Sequence, residues 1–437
     1  MGSNNRVMSE NAEFERQCKV NPERLQDSLE VLASFGMVPG KGITRPSFSR
    51  SYEQARAWLK SEAESAGLLA YDDAVGNLFI RYGDRDRPCV MSGSHVDTVP
   101  GGGPFDGAYG VLGAIEVARR LKETKENATV AFEAAAFVEE EGRYYDLLGS
   151  KALAGQMSLE EIEEARDSSG APLMEAMKSA GFSPERFAEA KRESGDILAY
   201  VELHIEQGPV LESKNIPIGI VDEITGGRQI EYVFAGESGH AGTVPMDLRR
   251  DAFTGALEFI HGARAHVLET GTPGRVRTTF GTVEVSPGFP SRIPDRCLVI
   301  QEIRDFSQQK LDELVSASVA HAQTCARKYR LDVSSREICA ASPARMSSRV
   351  TAKIREAAQA TDSDFITMPS GAGHDAQVIA SIAPAGMIFV PSKGGISHRH
   401  DEWTDFEFLE RGANVLLNSI LLILRDSNFD PTIQSEF

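Results

Sequence analysis

The sequence is short of several features that would point to a function class. Its five cysteines (Cys18, Cys89, Cys297, Cys325 and Cys339) are scattered, odd in number and free of any CxxC pair, which argues against a disulfide framework or a thiolate zinc site. No apolar run approaches the roughly 20 residues that span a bilayer, and the opening MGSNNRVMSENAEFER lacks the apolar core of a signal peptide. The expected location is the cytoplasm, with no membrane partner. Positive charge is scarce: 46 Lys and Arg against 64 Asp and Glu leave a net charge of -18, which disfavours nucleic acid or an anionic surface as partner. No stretch reads G-x-S-x-G, none closes a phosphate loop with GKS or GKT, and no G-x-G-x-x-G follows an apolar run. A serine hydrolase, a nucleotide enzyme and a dinucleotide oxidoreductase are therefore disfavoured.

What remains is an ordinary soluble composition, 41% hydrophobic and 25% charged over 437 residues, too long for one core and so expected to form two domains. Residues 1–12 read as a loose tail. Helical spacing runs over 13–35 through Phe14, Leu25, Leu29 and Leu32, and again over 51–67, where Gly67 is a C-cap. From about Ile216 the texture changes to alternating β-like segments interrupted by helical stretches near 248–269 and 307–329. That pattern is an α+β sandwich with helices on one sheet face. It predicts an inserted domain at 215–332 within a first domain made of 13–214 and 333–437.

The chemistry concentrates where apolar runs of the first domain end. PCVMSGSHVDTVPGGGPFDG brings His95, Asp97 and Asp106 into a glycine-rich loop, and residues two apart on a strand share a face. A carboxylate at Asp97 suits the second nitrogen of a metal-binding imidazole. ATVAFEAAAFVEEEG ends in Glu139, Glu140 and Glu141, acids that raise each other's pKa unless a cation holds them. DILAYVELHIEQG delivers His204 and then Gln207, and MIFVPSKGGISHRH delivers His398, with His400 as a competitor. In open α/β sheets sites form at the carboxyl ends of strands, so these residues are expected at one sheet edge. Nitrogen and oxygen ligands without sulfur suit zinc, manganese, cobalt or nickel. Three histidines with several carboxylates exceed the needs of one ion and match two ions bridged by a carboxylate, with a spare carboxylate to take a proton. The rival from another class is a metal-stabilised binding protein without turnover.

The motifs GSHVDTVPGGGPFDG, EEEG, ELHIEQGPVLE, GHAGTVPM, SGAGHDA and MIFVPSKGGISH together resemble the hydantoinase/carbamoylase amidases, a branch of the dinuclear metallopeptidase superfamily. The likeness runs from about residue 40 onward. It implies an α/β fold whose mixed-sheet catalytic domain carries the metals, with an inserted ferredoxin-like α+β domain as lid and homodimer interface. It also implies that Asp106 bridges two divalent ions, that His95 and His204 complete one shell, and that Glu141 and His398 complete the other. Glu140 is then the general base, Asp97 orients His95, and His240 stabilises the oxyanion. Arg304 grips the substrate carboxylate, while Gln207, Gln229, Ser291 and His374 lie at substrate-recognition positions. His204 stands where peptidase relatives place a carboxylate, which points to substrates that are small ureido or N-carbamoyl acids rather than N-acyl amino acids or dipeptides. Ser291, Glu302 and Gln229 depart from the residues common in the branch, so the particular substrate stays open.

Overall fold

The computed structural model describes residues 19–126, 130–193 and 195–426; the expected tail at 1–12, Phe14 and Cys18 lie outside them. The chain divides into two compact units, one of residues 1–222 with 345–437 and the other of residues 223–344.

The first unit is built on a nine-stranded mixed sheet. Its strands in the first half of the chain are β1 (Leu69–Asp72), β2 (Leu78–Tyr82), β3 (Cys89–His95), β4 (Ala131–Phe137), β5 (Ile197–Ile205) and β6 (Ile218–Ile224). Those of the second unit are β7 (Gly226–Ala235), β8 (Arg277–Ser286), β9 (Arg296–Asp305) and β10 (Asp332–Ala341). The chain then returns through β11 (Ala344–Arg345), β12 (Phe365–Ser370) and β13 (Ala385–Val390). The large sheet runs in the order β11-β6-β13-β5-β3-β4-β2-β1, with β12 paired to β6. Its centre is parallel: β13 with β5, β5 with β3, and β3 with β4. These four strands are buried along almost their whole length, as expected where helices cover both faces of parallel strands.

Helix Ala108–Glu123 is buried on nearly every side, packed on this sheet and against Phe406–Leu424. Glycine permits the approach, since a Cβ at Gly110 would lie 2.3 Å from the carbonyl oxygen of Leu203. Helix Arg50–Ser65 starts at Ser49, whose side chain accepts from the Tyr52 amide, and Gly67 follows it at φ +67. The first described helix is Pro22–Ser34, capped by Asn21, whose side chain accepts from the Arg24 amide; residues 13–18 of the expected span lie outside the described residues. Among the described residues no helix is long and apolar enough to cross a membrane, and Cys89, Cys297, Cys325 and Cys339 form no disulfide with one another.

The second unit has the order β7, helix Ala252–Thr270, β8, β9, helix Gln308–Tyr329, β10, folded as an antiparallel sheet in the order β8-β9-β7-β10. This βαββαβ arrangement is the ferredoxin-like pattern. Ile230, Tyr232, Phe234, Cys297, Val299 and Ile303 form one core with Phe259, Leu311 and Leu314 of the helices. The boundaries differ from the expected 215–332 at both ends. Ile218–Ile224 pairs with Ala385–Val390 in the large sheet, and Asp332–Ala341 supplies the fourth strand of the small one. A β-like run of residues identifies a strand but not which sheet will accept it.

Candidate metal centre

The parallel strands bring four chain segments to one edge. His95 is the last residue of β3, and Glu140 and Glu141 follow β4 by three and four residues. His204 is the penultimate residue of β5, level with Phe389 on β13. His398 follows β13 in the next loop at φ +57, and Asp106 comes from the loop between β3 and helix Ala108–Glu123. Gly107, at φ +63, begins that helix where a Cβ would lie 2.4 Å from the His95 ring. A side chain at Gly107 is thus incompatible with the imidazole as placed.

Asp106 sits between two groups. Its Oδ1 is 3.3 Å from His204 Nε2 and its Oδ2 is 3.1 Å from His398 Nε2. His95 Nε2 lies 3.5 Å from Glu140 Oε2, and His398 Nε2 lies 3.6 Å from Glu141 Oε2. Donor atoms of His95, Asp106 and His204 fall within 4.8 Å of one another, as do those of Asp106, Glu141 and His398. Charge-assisted hydrogen bonds between such groups close to about 2.7–2.9 Å. Ligands bound to one ion at about 2.0–2.2 Å in a tetrahedron stand roughly 3.3–3.6 Å apart, which matches the His204–Asp106 and His398–Glu141 separations, while the His398–Asp106 pair at 3.1 Å is a hydrogen bond.

The tautomers fit the same purpose. His95 Nδ1 is 3.0 Å from the main-chain carbonyl of Asp97, and His204 Nδ1 is 2.8 Å from that of Ile205. A carbonyl only accepts, so both Nδ1 atoms carry the proton and both Nε2 lone pairs face the centre. This corrects one expectation: the Asp97 carboxylate stands 3.8 Å from His95 Nδ1 and instead accepts from the amides of Glu140 and Glu141, at 3.4 and 3.1 Å. β3 ends at His95, so Asp97 no longer follows the strand alternation and its carbonyl, not its side chain, meets the ring.

The electrostatics follow from the crowding of acids at this edge. Burial, then the charges of Glu141 and Asp375, push Glu140 well above the usual carboxylate range. Burial and then Asp106 push Glu141 up to about 8 and Glu402 up to about 7. Burial also opposes ionisation of Asp106, but His398, His204 and His95 together hold it below its ordinary value. The hydrogen bond to Asp106 raises His398 to about 9. Five carboxylates (Asp97, Asp106, Glu140, Glu141 and Glu402) thus crowd three imidazoles. Such an acid-rich set of nitrogen and oxygen donors suits divalent cations, whose charge offsets that of the carboxylates.

Residues 91–422 match Peptidase family M20/M25/M40. The chain belongs to this family. It is 37% identical over 405 residues to the N-carbamoyl-L-amino acid amidohydrolase of Geobacillus stearothermophilus, covering 92% of this chain and 98% of that protein. It is 36% identical over 396 residues to the allantoate amidohydrolase of Bacillus subtilis, covering 90% and 95%. The crystal structure of a hydantoinase/carbamoylase family amidase from Burkholderia vietnamiensis superposes with a TM-score of 0.82 at 33% identity, covering 93% of this chain and 98% of the other. Within the M20/M25/M40 family the chain is an amidohydrolase of the hydantoinase/carbamoylase type, acting on carbon–nitrogen bonds other than peptide bonds, and enzymes of the family use divalent metals.

The remaining candidates of this M20 amidohydrolase fall into two places. In the first unit, Gln207 Nε2 donates to Asp106 Oδ1 at 3.1 Å. His374 packs edge-on against His204 with ring centroids 4.6 Å apart and lies 3.0 Å from Ser370 Oγ. His400 is exposed and belongs to no ligand group, unlike His398. In the second unit, Arg304 Nη2 is 2.9 Å from Glu302 Oε1, and Gln229 faces the same oxygen at 3.5 Å. These three side chains alternate with core residues and so lie on the sheet face away from the helices. His240 and Ser291 are exposed on neighbouring segments of the same unit, His240 bridging to Arg292.

Reading the sequence misses two residues. Glu402 is buried beside Asp106, and Ser397 hydrogen-bonds to it. Both sit in a polar turn, where nothing in residue type or spacing separates them from a solvated loop. Glu202, a third donor near His204 and His374, is engaged by Ser94 Oγ, Tyr200 OH and the Ala376 amide, which makes it a brace beneath the histidines.

Proposed function

We propose that the chain hydrolyses the ureido or related terminal amide bond of a small carboxylic acid, using two divalent ions, zinc before manganese, cobalt or nickel. The observation that supports this best is the placing of Asp106, with one oxygen toward His204 and the other toward His398. His95, Asp106 and His204 would hold one ion, and Asp106, Glu141 and His398 the other. Two bound ions supply an acidified water and a polarised carbonyl.

Glu140 is the proton carrier. It lies within the centre, 3.5 Å from His95 Nε2 with its side chain 12% exposed, and its raised proton affinity lets it hold the proton that the attacking water gives up. The water oxygen joins the carbonyl carbon, the C–N bond breaks, and Glu140 returns the proton to the departing nitrogen. Asp97 fixes the turn that presents Glu140 and Glu141 through their amides, while its carbonyl sets the His95 ring. Gln207 steadies Asp106 and, with His374, borders the substrate. Arg304, kept in orientation by Glu302, offers a planar fork for the substrate carboxylate, with Gln229 and Ser291 shaping recognition and His240 stabilising the oxyanion.

The second unit serves as lid and homodimer interface. Phe253 and Leu257, one turn apart, and Leu268 are exposed on helix Ala252–Thr270, apolar area of the kind that a partner covers. A cytoplasmic enzyme is the accompanying reading. The names of the relatives, acting on N-carbamoyl-L-amino acids and allantoate, support the ureido class. The test is ammonia or amine release from N-carbamoyl amino acids, N-carbamoyl-β-alanine, allantoate, ureidoglycolate, N-acyl amino acids and dipeptides, with each divalent metal. Turnover of a ureido acid is expected; rapid cleavage of dipeptides or N-acyl amino acids alone overturns the reading.

A further inference from the structure

Asp106 and His398 come from loops nearly 300 residues apart in sequence, yet the two must stand at a fixed spacing if they are to share one ion. A single buried side chain links those loops. Glu402 is 2% exposed. Its Oε1 accepts from the amides of Phe105 and Asp106, at 2.9 and 3.1 Å. Its Oε2 accepts from Ser397 Oγ at 2.9 Å, and the same hydroxyl lies 3.3 Å from Asp106 Oδ2. A Cβ at Gly103 would fall 2.3 Å from Glu402 Cβ, so glycine makes room for the carboxylate. The neighbouring Trp403 packs edge-on against Phe105 with ring centroids 5.6 Å apart, and its carbonyl accepts from the Lys393 amide at 2.8 Å, closing the loop that contains His398.

We propose that Glu402 is a positioning residue of the metal centre, a carboxylate strut that clamps the Asp106 loop to the His398 loop and so sets the distance between the shared ligand and the second histidine. This rests on the two-ion reading of the site. A neutral glutamine could accept from the same amides at less electrostatic cost in a centre already rich in acids. What the charge adds is strength in the two amide bonds, since hydrogen bonds to an ionised acceptor are shorter and about twice as strong. It also adds negative potential beside Asp106. Partners of metal ligands typically change metal affinity by about 10–100-fold when removed.

The test compares zinc affinity and stoichiometry of the full-length wild type with Glu402→Ala, Glu402→Gln and Ser397→Ala, by competition with a chromophoric chelator. The visible spectrum of the cobalt-loaded proteins and the thermal melting of the metal-free proteins are followed alongside. Glu402→Ala is expected to weaken zinc by about 10–100-fold, and first the ion that needs His398, with a changed cobalt spectrum. Glu402→Gln should recover part of that loss because an amide oxygen remains for the Phe105 and Asp106 N–H groups. A purely structural residue would lower the melting temperature without altering the spectrum. Wild-type zinc affinity and cobalt spectrum in Glu402→Ala overturn the proposal. If that variant does not fold, the same result in both Glu402→Gln and Ser397→Ala overturns it. A wild type that takes up no zinc overturns the two-ion reading and the strut together.

Discussion

Gly107→Ala is a small change with a large expected effect. The added carbon would lie 2.4 Å from His95 Nε2 and Cδ2, whereas ordinary contact begins near 3.4 Å, so ring or loop must yield by about 1 Å. Neither is free to do so cheaply: the ring is held at Nδ1 by the Asp97 carbonyl, and the loop carries Asp106. The backbone conformation, φ 63 and ψ -47, adds about 1–3 kcal/mol of strain for a residue with a Cβ. A displacement of about 1 Å at a reacting centre costs about 100-fold in rate, equivalent to roughly 2.7 kcal/mol. Measured with the best substrate of the panel, kcat/KM of Gly107→Ala should therefore fall by about two orders of magnitude, with weaker retention of one zinc on dialysis. Circular dichroism should show the fold retained. Wild-type kcat/KM and two zinc ions per chain in a folded Gly107→Ala protein would refute the placement of His95 against this glycine.

Asp106→Ala should lose both ions, because each group depends on it, whereas Glu140→Ala should retain metal and lose turnover; metal analysis of the two purified variants separates these outcomes. Arg304→Lys should raise KM for the best ureido acid by about tenfold while leaving the zinc content untouched, because an ammonium cannot make the paired hydrogen bonds of a guanidinium. An unchanged KM in steady-state kinetics removes Arg304 from substrate binding.

The parallel centre of the sheet was readable because each of its strands is an apolar run that stops at a polar residue, and burial on both faces leaves no alternation to confuse the pattern. The same feature gathers His95, His204, Glu141 and His398 from the sequence, since parallel strands share a carboxyl edge. The affiliation of Ile218–Ile224 was not readable. Ile218, Gly219, Ile220 and Val221 are all buried, a run that suits either sheet, and pairing with Ala385–Val390, some 165 residues later, decides between them. The partner of His95 was misread for a related reason: Asp97 has the right chemistry, but its side chain and its carbonyl compete for the same nitrogen. Glu402 leaves no trace in sequence, because its role lies in accepting backbone amides, and any acidic residue in any turn has the composition to do that.

The neighbour relation between β5 and β13 has a consequence for synthesis. When the ribosome has completed Ile205, the strand that will lie beside it on that side begins only at Ala385, about 180 residues later. At roughly 5–20 residues per second, the wait is about 10–40 s. The second unit emerges in that interval and has its own core to form. The nascent first unit meanwhile presents β5 as a long, apolar, unpaired edge bearing His204, the kind of edge that recruits other chains. Low expression temperature and chaperone supply should therefore matter more to the yield of this protein than its composition suggests.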